Sequence, residues 1–339
     1  MTASCCFLGG GRINRTHIKR VRALRPKARI AVASRDAASA ERYARELGAD
    51  QHFASYDAAI DAGFETYVVG TIPSLHASLV EKIVSAGHHC LIEKPVFNSM
   101  AELDRLWPLL VKSKGVVMVA ENVHFAPFLA KLVGRARDAR LGKPLYLDLV
   151  RLGRSNPTGW RADPAEMPLG ALHEGGVHWI RRILALAAAL EGDQQAGVID
   201  VMAYSPAAPI TSTPGEDTMM VMARHRSGLT SRLLHSWGVP RRFPGGDTSK
   251  LVSEHGAVYF DSRGIYGRSY RPGSRRWILP SLRDASGFTG MWREFLSAID
   301  QGRQPSLSLR TIYDDFAYMD AAYRSVASGR VETPRAPGM

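Results

Sequence analysis

Cys5-Cys6-Phe7-Leu8-Gly9-Gly10-Gly11-Arg12-Ile13-Asn14 is the stretch whose reading decides the fold of this 339-residue chain. A short apolar run, three glycines and a helical stretch from Arg15 to Leu24 read as strand, tight turn and helix. That order is the dinucleotide fingerprint, in which one glycine permits the turn and another lets a pyrophosphate approach the backbone. The helix N-terminus adds free N–H groups and a partial positive charge for the phosphates. Gly9, Gly11, Arg12 and Ile13 are therefore expected to bind a cofactor. The third glycine, which lets helix and strand pack closely, is replaced by Asn14.

The next strand, Ala28-Arg29-Ile30-Ala31-Val32-Ala33, ends in Ser34-Arg35-Asp36. An acid at this strand end takes the ribose hydroxyls of NAD, whereas an arginine suits the 2′-phosphate of NADP. Ser34 and Arg35 offer a hydroxyl and a planar cation, which favours NADP over NAD. Asp36 keeps the NAD reading open.

Strand and helix go on alternating to about residue 122, through a helix at Ala37–Leu47, a strand at Thr66–Gly70 and a helix at Ser74–Ala86. His88-His89-Cys90-Leu91-Ile92 is a buried strand, Met100–Lys112 a helix and Gly115–Ala120 a further strand. This pattern predicts a doubly wound parallel sheet over residues 1–122. Glu93-Lys94-Pro95 closes the His88–Ile92 strand. Proline there removes a donor and holds Lys94 out of the α region, at the sheet edge where ligands bind. A lysine at a strand end is ordinarily only solvated; its company gives this one a candidate catalytic role.

Beyond residue 144 the segments Leu145–Arg151, Gly197–Tyr204, Thr218–His225, Leu229–Trp237 and Ala257–Asp261 read as β, with Ser227-Gly228 a hairpin turn. Helices at Met291–Gln301 and Leu309–Ser328 follow. Residues 123–333 are thus expected to form an α+β domain for substrate binding and assembly, with a large, mostly antiparallel, open-faced sheet; residues 334–339 form a loose tail. Alternation sets Leu145, Leu147 and Leu149 against Tyr146, Asp148 and Val150. If the uncovered face carries Val201, Ala203, Met220 and Met222, pairing two such faces gives an isologous dimer.

Two domains fit the length. No apolar run reaches the roughly 20 residues that span a bilayer, and no signal-peptide pattern opens the chain, so no membrane partner and a cytoplasmic location are expected. Cys5, Cys6 and Cys90 lie in predicted central strands, as reduced thiols do, without metal-ligand spacing. The net charge of +12 comes from scattered residues rather than a basic run interleaved with aromatics. That argues against nucleic acid and for a general attraction to anionic ligands.

A second chemical cluster is Glu174-Gly175-Gly176-Val177-His178, opening an apolar helix through Ile183-Leu184-Ala185-Leu186. Residues four apart share a helix face, so Glu174 and His178 can address one point, and histidine can take a proton near neutral pH. Two such groups without further partners do not make a metal site.

Together these stretches resemble the Gfo/Idh/MocA oxidoreductase family over nearly the whole chain. Gly9-Gly10-Gly11-Arg12-Ile13 resembles its glycine turn. Thr71-Ile72-Pro73-Ser74-Leu75-His76 is similar to its loop beside the nicotinamide ribose. Ala86 to Pro95 resembles its most specific motif. Glu121-Asn122, Phe125 with Pro127, and Gly159-Trp160-Arg161 stand where the family has cofactor- and substrate-facing residues. Phe295–Ile299, Ala322–Ser325 and Ser328–Arg330 look like its closing helices.

The resemblance implies an NAD(P)-dependent enzyme acting on a carbinol or carbonyl carbon of a sugar or cyclitol. It implies Thr71, Ile72, Pro73, His76, Glu93, Lys94 and Asn122 as cofactor contacts. Lys94 and His178 would surround the reacting hydroxyl with Glu174, which stands where the family has aspartate. Trp160, Arg161 and His173 would line the substrate pocket, and the basic balance favours an anionic sugar. The resemblance also implies a cis Lys94–Pro95 bond and a homodimer or homotetramer built through the second sheet. Two other readings use the same fold: a redox-dead sensor, and a hydrolase or lyase that oxidises its substrate transiently.

Overall fold

Cys5, Cys6, Phe7 and Leu8 are fully buried, and so are Ile30 to Ala33, because both strands lie in the middle of one sheet. The computed structural model describes residues 3–192, 197–239, 248–281 and 283–338. The chain divides into two compact units, one of Met1–Asn122 with Phe288–Ile312 and another of Val123–Gly287 with Tyr313–Met339. The sequence places helix Met291–Gln301 in the second domain, whereas in the structure that helix, Phe288–Gln301, belongs to the first unit.

The first unit alternates β1 (Ser4–Leu8), α1 (Arg12–Leu24), β2 (Arg29–Ala33), α2 (Ala37–Leu47), β3 (Gln51–Phe53), α3 (Tyr56–Asp61), β4 (Thr66–Val69), α4 (His76–Ser85), β5 (His89–Ile92), α5 (Met100–Val111) and β6 (Val117–Val119). The strands form a parallel sheet in the order β3-β2-β1-β4-β5-β6. Strand order reverses between β1 and β4, which makes their carboxyl ends the switch point. Sequence reading missed β3 and α3, since a three-residue strand with two exposed residues and a six-residue helix carry no apolar run.

In the second unit come α6 (Pro127–Ala136), β7 (Pro144–Leu152), α7 (Val177–Glu191), β8 (Val198–Tyr204), β9 (Thr218–His225), β10 (Thr230–Ser236), β11 (Thr248–Ser253), β12 (Gly256–Asp261), β13 (Gly267–Arg271) and β14 (Ser274–Ile278). Helix α8 (Phe288–Gln301) lies in the first unit, and α9 (Leu309–Ser328) runs into the second. The eight strands form one mixed sheet, β14-β13-β12-β11-β7-β10-β9-β8, antiparallel except where β7 meets β10. The expected fold class is the observed one. Strands β11, β13 and β14 were missed, the last two because arginine-rich edge strands lack the apolar alternation of a central one.

One expected face is corrected. Val201 and Ala203 are buried and pair with Ala223 and Val221 on the covered side, where Ser325 of α9 accepts the Ala203 N–H. The pleat gives the other face to Met202, in register with Met222, and Met220 and Met222 are exposed there as expected. Asp148 joins them, bidentate to Arg232 at 2.8 Å. In the expected tail the Ala336 carbonyl accepts from Tyr313, while Met339 lies outside the described residues. No helix among the described residues is long and apolar enough to cross a membrane.

Candidate active site

The carboxyl ends of β1, β4 and β5, three adjacent strands, carry Gly9–Gly11, Thr71–Pro73 and Lys94 respectively. Gly9 has φ +98°, and a Cβ there would stand 2.7 Å from the Gly70 carbonyl oxygen, so backbone and neighbour both demand glycine. Gly11 differs. A Cβ on it would meet nothing nearer than Gly70 O at 3.7 Å, so no protein atom excludes a side chain there. The space in front of Gly11 suits an incoming pyrophosphate. Gly11 also precedes α1 as an N-cap without side-chain hydrogen bond; the Asn14 N–H donates to its carbonyl at 3.0 Å, which leaves the Arg12 and Ile13 N–H groups for an anion.

Asn14 explains how the fingerprint survives without its third glycine. It is fully buried, and its amide nitrogen donates to the Gly9 carbonyl at 2.6 Å, bracing the turn. Room for it comes from across the sheet, where a Cβ on Gly70 would stand 2.5 Å from the Asn14 Oδ1. The missing glycine has moved to the partner strand.

At the end of β2, Ser34 is buried and Arg35 exposed. Asp36 is the N-cap of α2, its Oδ1 accepting the Ser39 N–H at 2.8 Å, and that backbone bond draws its carboxyl below the usual range. His76, expected beside the nicotinamide, turns inward instead. Its Nδ1 lies 3.1 Å from the Val96 carbonyl and its Nε2 3.4 Å from the Thr71 carbonyl; burial depresses its pKa, and the neutral ring donates to one of the two according to its tautomer. It holds the Thr71–Pro73 loop from behind.

Glu93 is likewise a buried support. Its Oε1 lies 2.7 Å from Nε2 of His17, and its Oε2 accepts the Lys94 backbone N–H at 3.0 Å. The Trp292 Nε1–H donates to Nδ1 of His17 at 2.9 Å. Indole N–H can only donate, so Nδ1 accepts and the ring proton sits on Nε2, facing the carboxylate. Burial pushes the Glu93 pKa up, but the His17 hydrogen bond and the nearby Lys94 charge outweigh it and hold it low. A buried relay from α8 through α1 thus fixes the residue before Lys94. The Lys94–Pro95 bond is cis. Lys94 and Asn122 are both half-buried.

In the second unit the helix carrying the second cluster does not start as an α-helix. Leu172–Gly176 forms a π-helical turn, and α7 begins only at Val177. Such turns recur at functional sites because the wider ring displaces side chains from the α register. The turn buries His173 and Glu174; His178, in the first turn of α7, is half-buried. The Arg161 Nε donates to Glu174 Oε1 at 2.8 Å, and its guanidinium lies 4.2 Å from the centre of the Trp160 ring. Trp160, Arg161 and Glu174 are thereby one cluster. His173 packs its ring edge-on against Phe316, 6.1 Å between centres.

Three supports escaped the sequence reading: His17, Trp292 and Glu216. The first two lie 275 positions apart, and nothing local announces their contact. Glu216 accepts the Leu172 N–H and the Tyr323 hydroxyl, at 2.8 and 2.7 Å.

The profile of a family described as "Oxidoreductase family, NAD-binding Rossmann fold" matches residues 3–121. The first part of the chain thus matches the Gfo/Idh/MocA oxidoreductase family model. It is 24% identical over 336 residues to an inositol 2-dehydrogenase of Rhizobium meliloti, covering 97% of this chain and 98% of that one. A D-apiose dehydrogenase of Paraburkholderia graminis is 22% identical over 338 residues, covering 96% and 88%. Among solved structures, levoglucosan dehydrogenase in complex with NADH and levoglucosan superposes with a TM-score of 0.85 at 19% identity, covering 99% and 100% of the two chains. That likeness shows a shared fold along the whole length of both chains.

Proposed function

We propose that this protein is an NAD(P)-dependent dehydrogenase of the Gfo/Idh/MocA family that moves a hydride between the nicotinamide and a CH–OH carbon of a sugar or cyclitol. The observation that carries the reading is the alignment of Gly9–Gly11, Thr71–Pro73 and Lys94 at three adjacent strand ends around the switch point. When bound, the nicotinamide supplies the hydride acceptor or donor. The chain supplies the rest. Gly11 and the first N–H groups of α1 receive the pyrophosphate. Lys94 Nζ stabilises charge developing on the carbinol oxygen, and an imidazole nitrogen of His178 takes its proton. Glu174 orients Arg161, and the Arg161 and Trp160 side chains bind the sugar, an anionic one included. The names of the inositol and apiose dehydrogenase relatives support this substrate class.

Of the two cofactors we favour NADP. Asp36 commits one carboxylate oxygen to capping α2, which leaves Ser34 and Arg35 to meet the 2′ position. Removing Arg35 by Arg35→Ala then costs about 1.5–3 kcal/mol of NADP binding, roughly 10- to 150-fold, and leaves NAD affinity unchanged. Tighter binding of NAD than NADP by the unaltered protein, with Arg35→Ala indifferent, contradicts this preference. The NADH bound to levoglucosan dehydrogenase makes that comparison the one to run first.

Assembly follows from the exposed sheet face, which carries Met220, Met222, Tyr146, Tyr259 and Trp277. A face of that kind is covered by a second copy in a dimer or tetramer. Light scattering at micromolar concentration reads twice or four times 37.2 kDa if so, and 37.2 kDa if not.

Lys94→Ala tests the mechanism: turnover falls by at least ~10²-fold, with cofactor affinity nearly kept because the glycine turn holds the other half of the molecule. Near-normal turnover in that variant excludes the assignment.

A further inference from the structure

The π-helical turn is held from outside by two residues that the proposed chemistry does not use. Ala171, Leu172 and His173 open the helical segment, so their N–H groups have no partner one turn back. Each finds one elsewhere. The Ala171 N–H donates to the Glu216 backbone carbonyl at 2.8 Å, the Leu172 N–H to Glu216 Oε1 at 2.8 Å and the His173 N–H to the Tyr323 hydroxyl at 3.2 Å. Tyr323 in turn donates to the same Oε1 at 2.7 Å. The Glu174 N–H is the first to bond within the segment, to Gly170 O at 3.1 Å. Glu174 therefore begins where the clamp ends. Glu216 is placed by an isolated β-bridge to Gly170, with the glycines at 170 and 215 admitting the close approach of the two chains.

We propose that Glu216 and Tyr323 form a positioning clamp for Glu174 and His178, and that ionisation of Glu216 changes its grip and hence the rate. An ionised carboxylate accepts shorter, stronger hydrogen bonds from Leu172 N–H and Tyr323 O–H than a protonated one does. It also sits at the positive end of the helical segment. Against ionisation stand burial and the neighbouring Asp217 carboxylate. Burial is the largest influence; with Asp217 it outweighs the Tyr323, Leu172 and Ala171 donors and raises the pKa to about 7. Glu216 Oε2 is buried with no hydrogen-bond partner among the described residues, which disfavours charge on it. The clamp switches in the range where cells work.

The inference rests on the dehydrogenase reading only for its kinetic arm. In that arm, kcat at saturating substrate rises across pH 6 to 8 in the unaltered protein, with a midpoint near 7. Glu216→Gln keeps an acceptor for both donors, so kcat stays within about threefold of the unaltered protein's low-pH value while the part of that limb that follows Glu216 disappears. Tyr323→Phe removes a donor that favours the carboxylate, so the midpoint moves upward. The second arm needs no turnover. Difference infrared spectroscopy shows one protonated carboxyl band that vanishes as pH rises through the same midpoint and is absent from Glu216→Gln. Amide exchange shows His173 N–H losing protection in Tyr323→Phe. No titrating carboxyl near neutral pH, or a midpoint indifferent to Tyr323→Phe, overturns the clamp. Absence of turnover with an intact infrared titration overturns the dehydrogenase reading and leaves the clamp standing.

Discussion

The two candidate clusters, one in each unit, are held by different means. In the first unit the functional groups sit at strand ends, and backbone geometry places them: Gly9 at φ +98°, Lys94 between a buried carboxylate and a proline, the N–H groups of α1 at its first turn. In the second unit Glu174 stands on a π-helical turn, and His178 in the α-helical turn that follows it; the π-turn is held largely by side chains from other segments, Glu216, Tyr323 and Arg161. Backbone placement resists single substitutions outside its glycines. Side-chain placement concentrates its weight on a few residues, each of which can be removed or ionised.

The contrast between the two glycines of the turn gives the largest expected effect. Gly11→Ala intrudes only on the space assigned to the pyrophosphate, so cofactor affinity falls by at least ~10-fold while stability changes by no more than about 0.5 kcal/mol. Gly9→Ala does the reverse: positive φ and the 2.7 Å approach to Gly70 O cost roughly 1–3 kcal/mol of folding stability. Urea denaturation with and without cofactor separates the two. Equal behaviour of both variants breaks the account of the turn.

Next comes the buried relay behind Lys94. His17→Ala strips Glu93 of its hydrogen-bonded partner and leaves a buried carboxylate, which costs about 2–3 kcal/mol, whereas Trp292→Phe removes one neutral donor and costs about 1 kcal/mol. The pH dependence has a definite sign. Glu93 has a folded pKa below its unfolded value, so its stabilisation is present above the ordinary carboxylate range and is lost as pH falls through the lower folded value. Glu93→Gln flattens stability in that acid window. An unchanged acid limb in Glu93→Gln removes Glu93 from the relay. Glu216 has the opposite sign: its raised pKa costs stability that sets in as pH rises from the unfolded value towards about 7. Thermal melts of Glu216→Gln therefore gain on the unaltered protein at pH 8 and not at pH 5.

The smallest effect belongs to the cap of α2. Asp36→Ala loses the bond to Ser39 N–H and lowers stability slightly, read as a small drop in Tm. If it instead lowers NAD affinity and spares stability, Asp36 reads the ribose.

How much was legible in the sequence follows the same division. The first sheet announces itself, because β1, β2, β4 and β5 are buried on both faces and read as unbroken apolar runs between glycine and proline. Lys94 was legible because Pro95 fixes where its strand stops. Asn14 could be seen only as a departure, since the compensating space lies 56 residues on at Gly70. Glu174 and His178 were found by their spacing, but the π-turn between them was not: three N–H groups bonded to Glu216 and Tyr323 leave no local trace. The misassigned face of β8 has a related cause, because register with Met222, and not residue type, sends Met202 outward and Val201 inward.

The most direct test of the central claim is to incubate the purified protein with sugars and cyclitols, each deuterated at its carbinol carbons, and with NAD+ or NADP+ in turn. The account predicts reduction of the cofactor, one deuterium transferred to the nicotinamide for each substrate oxidised, and loss of both in Lys94→Ala. A protein that binds either cofactor but passes no deuterium to it from any sugar or cyclitol contradicts the account.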